Sequence, residues 1–247
     1  MQPILHENPS PGRNAHDQPI GAPLPGWTPR ALPPRTPMQG ARCDVIPLDP
    51  AAHTDDLWDA FQADPTGKSW TYLFVDLPAS RDALRTYLEA QAKTTDPLAH
   101  TIIDHATGRA VGFASFMRID ANMGAIEVGN INYSERLKRT AIATEVMFLM
   151  MKRVFDELGY RRYEWKCDSL NHPSRRAAER LGFTYEGTFR QAVTYKGRNR
   201  DTAWFSIIDT EWPALKRAYE TWLAPENFDS QGRQQRGLAE LIKEARR

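Results

Sequence analysis

Residues 137–183 decide the fold of this chain, and they run LKRTAIATEVMFLMMKRVFDELGYRRYEWKCDSLNHPSRRAAERLGF. From Ala141 to Leu158, apolar side chains recur at helical spacing, which predicts one long helix. Arg162 to Asp168 alternates apolar and polar side chains as a half-buried strand does. Pro173 to Leu181 then predicts a short helix, which Gly182 ends. The segment is therefore a helix, a strand and a second helix.

The region before this segment predicts a mixed layer of strands and helices. Ala41 to Leu48 is a candidate strand, Ala52 to Ala63 a candidate helix, and Ser80 a candidate N-cap for a second, amphipathic helix. After this helix, the spacing of apolar residues changes from the helical period to a period of two. Alternating runs separated by turn residues predict an antiparallel meander of three strands, at His100 to Asp104, Val111 to Asp120 and Ala125 to Tyr133.

Two further strands, Phe183 to Arg190 and Thr202 to Asp209, and a helix over Glu211 to Leu223 complete the predicted domain of residues 41–223. Ten of the 18 prolines lie in residues 1–40, which are predicted to form an extended arm. Within the arm, apolar side chains favour docking on the domain at Leu24, Trp27 and Leu32.

Residues 224–247 are predicted to be a polar C-terminal tail, in which Gly237 to Arg247 forms a mobile helix of mixed charge.

Composition excludes several classes of protein. The chain has 247 residues, 41% hydrophobic and 26% charged, which is ordinary for a globular protein with a sizeable core. Its 32 basic and 31 acidic residues provide no global field for nucleic acid or an anionic membrane, and neither is expected as a partner. Cys43 and Cys167 lack the paired spacing of a zinc site, so no metal is expected. Without an 18-residue apolar run or a signal-peptide pattern, the chain is expected in the cytoplasm.

The order of elements resembles the GNAT (Gcn5-related) N-acetyltransferase fold over Ala41 to Trp212, and specifically the ribosomal-protein-acetyltransferase-like (RimJ/RimL-type) branch. The resemblance implies an α/β fold with a central mixed, mostly antiparallel twisted sheet flanked by helices. It also implies acetyl-CoA as co-substrate and an amine as acceptor, which is either a small molecule or a protein N-terminus. A homodimer is common in that branch.

The loop that opens the long helix matches the family's pyrophosphate loop, Q/R-x-x-G-x-G/A. A helix start offers backbone N–H groups and partial positive charge to a phosphate. The resemblance assigns coenzyme A binding here to Lys138, Arg139, Thr140, Ala141, Ile142, Ala143 and Thr144. Lys138 and Ala141 depart from the family pattern, and a positive φ at Ala141 would be strained.

Asn171, Ser174 and Arg175 have the family's spacing in and before the short helix. Asn171 is expected either to hydrogen-bond the pantetheine or to cap the helix. Arg175 is expected either to reach the 3′-phosphate or to be surface charge. The family's tyrosine acid is replaced by Ala178, which leaves Ser174 or water to protonate the leaving thiolate.

Acetyl transfer needs a neutral amine, but an alkyl amine with a pKa of about 10.4 is only about one part in a thousand neutral at pH 7. Glu127, the only carboxylate between Asp120 and Glu135, is the first candidate for the base that removes the proton, unless it faces solvent. Asp168 is the second. Backbone N–H groups of Asn130, Ile131 and Asn132 are expected to stabilise the oxyanion if their strand splays or bulges.

The acceptor pocket is expected between the first two helices and the last hairpin. Its walls would hold an alternating aromatic run and a basic hairpin connection, with the side chains of Trp70, Tyr72, Phe74, Tyr195, Arg198 and Arg200. Cys167 is expected to be a half-buried strand residue, while its alternative is an acyl-cysteine intermediate.

Three functions remain open at this point. The first is an acetyltransferase that works by direct attack in a ternary complex. The second is a GNAT-like domain that binds an acyl-CoA without turnover. The third is an interaction protein that uses the Pro-rich arm to bind a partner. The sequence does not specify the acceptor.

Overall fold

A computed structural model of the chain describes residues 11–247. The strands are β1 (Gly12–Arg13), β2 (Pro19–Ile20), β3 (Met38–Gln39), β4 (Cys43–Pro47), β5 (Leu98–Asp104), β6 (Arg109–Asp120), β7 (Ala125–Tyr133), β8 (Arg162–Asp168), β9 (Thr184–Tyr195) and β10 (Arg198–Ile208). The helices are α1 (Pro50–Phe61), α2 (Arg81–Lys93), α3 (Ala141–Lys152), α4 (His172–Arg180), α5 (Trp212–Leu223) and α6 (Leu238–Ala245). Short 3-10 turns lie at Lys68–Trp70 and Pro225–Asn227, and a π-helical turn at Arg153–Glu157 follows α3.

Eight strands form one sheet in the order β3-β4-β5-β6-β7-β8-β10-β9. Neighbours pair antiparallel except β7 and β8, which are parallel. The mixed, mostly antiparallel sheet expected from the resemblance is therefore confirmed. β9 and β10 extend beyond their predicted ends as a long hairpin closed at Lys196 and Gly197, which both have positive φ. Polar side chains near that turn hide the strand pattern in the sequence.

The sheet has a core on each face because consecutive strand residues point to opposite sides. Phe113 of β6 packs with Leu57 and Leu88 of α1 and α2, while its neighbour Ala114 belongs to the cluster under α3, α4 and α5. The methionines of α3 lie in that second core: Met147, Met150 and Met151 are all buried. Thioether side chains fill gaps between helix and sheet here.

The N-terminal arm packs across the domain between residues 27 and 39. The Trp27 indole N–H donates to the Asn122 carbonyl (3.1 Å), and the Arg30 guanidinium lies 4.3 Å from the Trp27 ring. Docking at Trp27 therefore occurs, but Leu24 and Leu32 are exposed, so the prediction was wrong for those two side chains. The arm also contains the small β1–β2 hairpin and edge strand β3, which its proline content obscured.

The C-terminal tail forms the predicted helix, α6, but this helix packs on the domain instead of standing clear of it. Leu238, Leu241 and Ile242 are buried, since they form the apolar stripe of α6. The Trp222 indole N–H donates to Gln234 Oε1 (2.8 Å), which ties the preceding loop to α5. Over residues 11–247, no helix is long and apolar enough to cross a membrane.

Candidate active site

Strands β7 and β8 separate partway along their length. They pair from Ala125 with Arg162 to Val128 with Trp165, and no pair follows, although β7 continues to Tyr133 and β8 to Asp168. The edge of β7 beyond Val128 therefore faces a gap. Its backbone groups are available to a ligand, because the neighbouring strand no longer uses them.

A β-bulge in β7 accompanies this separation. The register with β6 shifts between Gly129 and Asn132, and Asn130 has a φ of 48°. The Asn130 side chain is held from outside the strand, since its Oδ1 accepts from the Tyr87 hydroxyl (3.3 Å) and its Nδ2 donates to Gln91 Oε1 (3.0 Å). Helix α2 thus anchors the bulge on which the predicted oxyanion site depends.

A cleft of about 1650 Å³ runs through the gap. One half borders the N-terminal turn of α3 and helix α4 with Lys138, Arg139, Thr140, Ala141, Ala143, Thr144, Asn171, Ser174, Arg176 and Arg180. The other half borders the loop after α1, strands β7 and β8 and the β9–β10 hairpin with Tyr72, Phe74, Arg118, Glu127, Lys166, Asp168 and Arg200. We call these the helix half and the hairpin half. Most of the residues singled out from the sequence meet in this one cleft.

The loop before α3 has the conformation of an anion site. Thr140 is the N-cap, and its Oγ1 accepts from the Ala143 N–H (3.2 Å). The N–H groups of Ala141 and Ile142, in the first turn, have no acceptor within the helix. The positive φ of the loop (63°) lies at Arg139, while Ala141 is the first helical residue. The strain expected at Ala141 is therefore absent, and alanine fits this position.

Helix α4 presents a different set of residues from the predicted one. Asn171 Oδ1 caps the helix by accepting from the Ser174 N–H (3.2 Å), which confirms the capping alternative for that atom. Arg175 donates to the Ser169 carbonyl (3.3 Å) and does not border the cleft. Arg176 and Arg180, which the sequence reasoning missed, do border it. Their i, i+4 spacing, which places both on one helix face, was the available signal.

Ser174 and Trp165 border the cleft next to the gap. The Trp165 indole N–H donates to Ser174 Oγ (3.0 Å), and the Ser174 hydroxyl is also within hydrogen-bonding reach of Cys167. Ala178, matched to the family's tyrosine, is fully buried in the core, and its neighbour Ala177 borders the cleft. Neither residue carries an acid.

The buried amide of Asn132 tests whether coenzyme A fits here. The residue is 2% exposed and lines the cleft, yet neither Oδ1 nor Nδ2 has a hydrogen-bond partner among residues 11–247. An unpaired buried amide is costly, and a bound amide group would satisfy it. Pantetheine carries two such amide groups. The residues therefore fit coenzyme A.

Glu127 lies in the hairpin half and is 2% exposed. Its neighbours Ile126 and Val128 belong to the core under α3, so its side chain points to the opposite face, toward α1 and α2. Arg118 Nη1 lies 2.7 Å from Oε1, and Lys166 Nζ lies 2.9 Å from Oε2. Burial raises the pKa of Glu127 above its ordinary value, and the two cations act in the opposite direction. The solvent-facing alternative was wrong.

Two other candidates for chemistry are constrained by their contacts. Asp168 accepts from the Leu170 N–H and from the Tyr195 hydroxyl (2.9 Å each), so each of its oxygens already has a donor, as each oxygen of Glu127 has a cation. Burial raises the pKa of the Cys167 thiol, which disfavours the thiolate that an acyl-cysteine route needs.

The walls of the hairpin half differ in part from the prediction. Trp70 ends a 3-10 turn and packs in the core against the Phe61 ring, so it does not border the cleft, whereas Tyr72 and Phe74 do. Phe74 is 54% exposed and its ring centroid lies 5.7 Å from that of Tyr195. Arg200 borders the cleft, while Arg198 donates to the Thr71 carbonyl (3.1 Å).

The fold and the cleft are those expected of an acyl-CoA-dependent transferase, and comparison with known proteins supports this class. The acetyltransferase (GNAT) domain family matches residues 45–184. A GCN5-related N-acetyltransferase from Brucella melitensis is 49% identical, with a TM-score of 0.87 over 89% of this chain and 100% of that one. A probable GNAT acetyltransferase from Chromobacterium violaceum ATCC 12472 is 38% identical, with a TM-score of 0.74 over 79% and 98%. The chain belongs to the GNAT acetyltransferase family and is an acyltransferase.

A more distant structure, a putative ribosomal-protein-serine acetyltransferase from Vibrio cholerae, is 18% identical with a TM-score of 0.62 over 71% of this chain and 98% of that one. At that identity, the similarity establishes a shared fold.

Proposed function

We propose that this protein transfers the acetyl group of acetyl-CoA to a primary amine by direct attack in a ternary complex. The observation that carries the proposal is the continuous cleft through the β7–β8 gap, because it joins an anion site on one face of the sheet to a buried carboxylate on the other. Reactants bound in the two halves would meet at the gap, which is how proximity lowers the barrier.

The helix half would hold the co-substrate. The first N–H groups of α3 and the cations Lys138 and Arg139 would take the pyrophosphate. Arg180, which also donates to Thr144 Oγ1 (3.1 Å), and Arg176 would contact further phosphate oxygens. Asn132, on β7 and on the α1–α2 side of the gap, would pair with a pantetheine amide where the co-substrate passes through the gap. The 3′-phosphate role expected for Arg175 passes to Arg176 in this proposal, because Arg175 does not border the cleft.

Glu127 would accept the proton that the substrate ammonium must lose, directly or through one water. The amine nitrogen then bonds to the acetyl carbonyl carbon and the C–S bond breaks. The Ile131 N–H, at the free edge of β7, would stabilise the oxyanion. The Asn132 N–H does not face the gap, because the Ser134 N–H donates to the Val111 carbonyl of β6 and alternation turns the Asn132 N–H to the same side. Ser174 Oγ or a water would return a proton to the thiolate sulfur.

We also propose that the protein belongs to the ribosomal-protein-acetyltransferase-like branch, which leaves two classes of acceptor. A protein N-terminus is one candidate acceptor, and the name of the Vibrio cholerae protein gives a ribosomal-protein serine as the acceptor of that protein. A small amine is the other. Cytoplasmic location and a homodimer remain predictions. Acyl-CoA binding without turnover is the less favoured alternative, because the hairpin half places a buried carboxylate at the gap.

The test is release of coenzyme A thiol from acetyl-CoA in the presence of a panel of primary amines and N-terminal peptides. Amine-dependent release is expected for the native chain. Saturable acetyl-CoA binding with no release above the amine-free rate for any acceptor would contradict catalysis and favour the binding domain.

A further inference from the structure

Arg200 is a buried cation whose charge is unpaired. The residue is 8% exposed, and its Nε donates to Thr202 Oγ1 (3.1 Å). No carboxylate among residues 11–247 lies within 4 Å of its guanidinium nitrogens. By contrast, Arg118 and Lys166 in the same half of the cleft each contact a glutamate. A charged group taken out of water without a partner is costly, so this position calls for an anion.

The surroundings direct Arg200 toward a ligand. The residue borders the cleft, and its guanidinium carbon lies 5.6 Å from the ring centroid of Phe74 and 5.9 Å from that of Tyr195. These rings restrict the guanidinium plane. A planar fork of N–H donors that is held in place matches a carboxylate through two parallel hydrogen bonds.

We propose that Arg200 binds a carboxylate of the acceptor, so that the substrate is an amine that also carries a carboxylate group. This inference rests on the proposed function and narrows it. Burial lowers the pKa of Arg200, and the nearby Asp168 carboxylate acts in the opposite direction. The Asp168 charge repels a singly charged carboxylate less than a doubly charged phosphate, and the planar guanidinium matches a carboxylate in shape. Glu127 at the gap takes the ammonium proton while Arg200 holds the other end.

The carboxylate has two possible sources: a free amino acid, or an acidic side chain near a peptide N-terminus. The panel therefore contains matched pairs. Each free L-amino acid is compared with its α-carboxamide, and each tetrapeptide amide with Asp or Glu at its second position is compared with the Asn or Gln peptide. A preference for the carboxylate member within the amino-acid pairs, or within the peptide pairs, identifies the source of the carboxylate.

The variants are Arg200→Gln and Arg200→Lys, with Arg198→Gln as the control, since Arg198 lies on the same hairpin but is exposed. Native protein should favour the carboxylate member by at least about tenfold in kcat/KM, as for hydrogen bonds to a charged group. Arg200→Gln should abolish that preference by slowing only the carboxylate member, Arg200→Lys should restore part of it, and Arg198→Gln should retain it. Melting temperature and acetyl-CoA affinity, measured in parallel, identify a misfolded variant.

Release without preference within any pair, or an equal loss for both members in Arg200→Gln with acetyl-CoA binding intact, would overturn the inference while the proposed function stands. Absence of release with every amine would contradict the proposed function itself, and with it the inference.

Discussion

The two halves of the cleft are built in different ways. The helix half uses backbone N–H groups and residues from two continuous stretches, 138–144 and 171–180. The hairpin half uses side chains from four distant parts of the chain, at residues 72–74, 118–127, 166–168 and 200. The first arrangement is a general anion site that any acyl-CoA could use. The second depends on individual side chains, so we expect acceptor specificity to reside there.

The largest expected effect tests the chemistry of the hairpin half. Glu127→Gln should lower kcat by about 10²- to 10⁴-fold, which is the usual contribution of a positioned base, and leave acetyl-CoA affinity unchanged. Glu164→Gln is the matched control, because Glu164 also contacts Lys166 (2.6 Å) and does not border the cleft. Steady-state thiol release measures both. Equal losses in the two variants would assign Glu127 to the charge network alone.

The pH profile sharpens the same point. A base acts only when ionised, so kcat/KM should fall as pH is lowered through the pKa of Glu127. Because burial raises that pKa, the fall should lie above the range of an ordinary carboxyl group. Glu127→Gln should lose this acid limb. A native profile that stays flat down to the ordinary carboxyl range would contradict the assignment.

A smaller effect separates two adjacent arginines of α4. Arg176→Gln should raise the KM for acetyl-CoA by about 3- to 20-fold, as expected for loss of one charged contact to phosphate. Arg175→Gln, the neighbouring control, should change it by less than about twofold, because Arg175 contacts the Ser169 carbonyl outside the cleft. The reverse order would restore Arg175 to the 3′-phosphate site.

The smallest expected effect concerns Cys167. Cys167→Ala should keep kcat within about threefold, because a buried thiol with a raised pKa is a poor nucleophile. Mass spectrometry of the native chain after incubation with acetyl-CoA alone should detect no acetylated Cys167. A stable acyl-protein, together with loss of activity in the variant, would support the acyl-cysteine route instead.

The same contrast explains what the sequence could predict. The ends of β7 and β8 match their predicted positions, and the N-caps Ser80 and Asn171 make the expected hydrogen bonds, since caps and strand periods are local. Whether Arg176 or Arg175 borders the cleft depends on how α4 is rotated about its axis against the sheet. The partners of Glu127, on β6 and β8, depend on strand register. Such long-range placements leave little trace in a single sequence.

The most direct test of the central claim, that the start of α3 binds acetyl-CoA, is the melting temperature as a function of acetyl-CoA concentration. Ala141→Glu introduces a negative charge at the helix start. Ala52→Glu, in the first turn of α1 and exposed, is the matched control. The native chain and Ala52→Glu should show saturable stabilisation, since a ligand that binds only the folded state must stabilise it, and Ala141→Glu should show none. No stabilisation of the native chain at millimolar acetyl-CoA, or equal stabilisation of all three proteins, would contradict the claim.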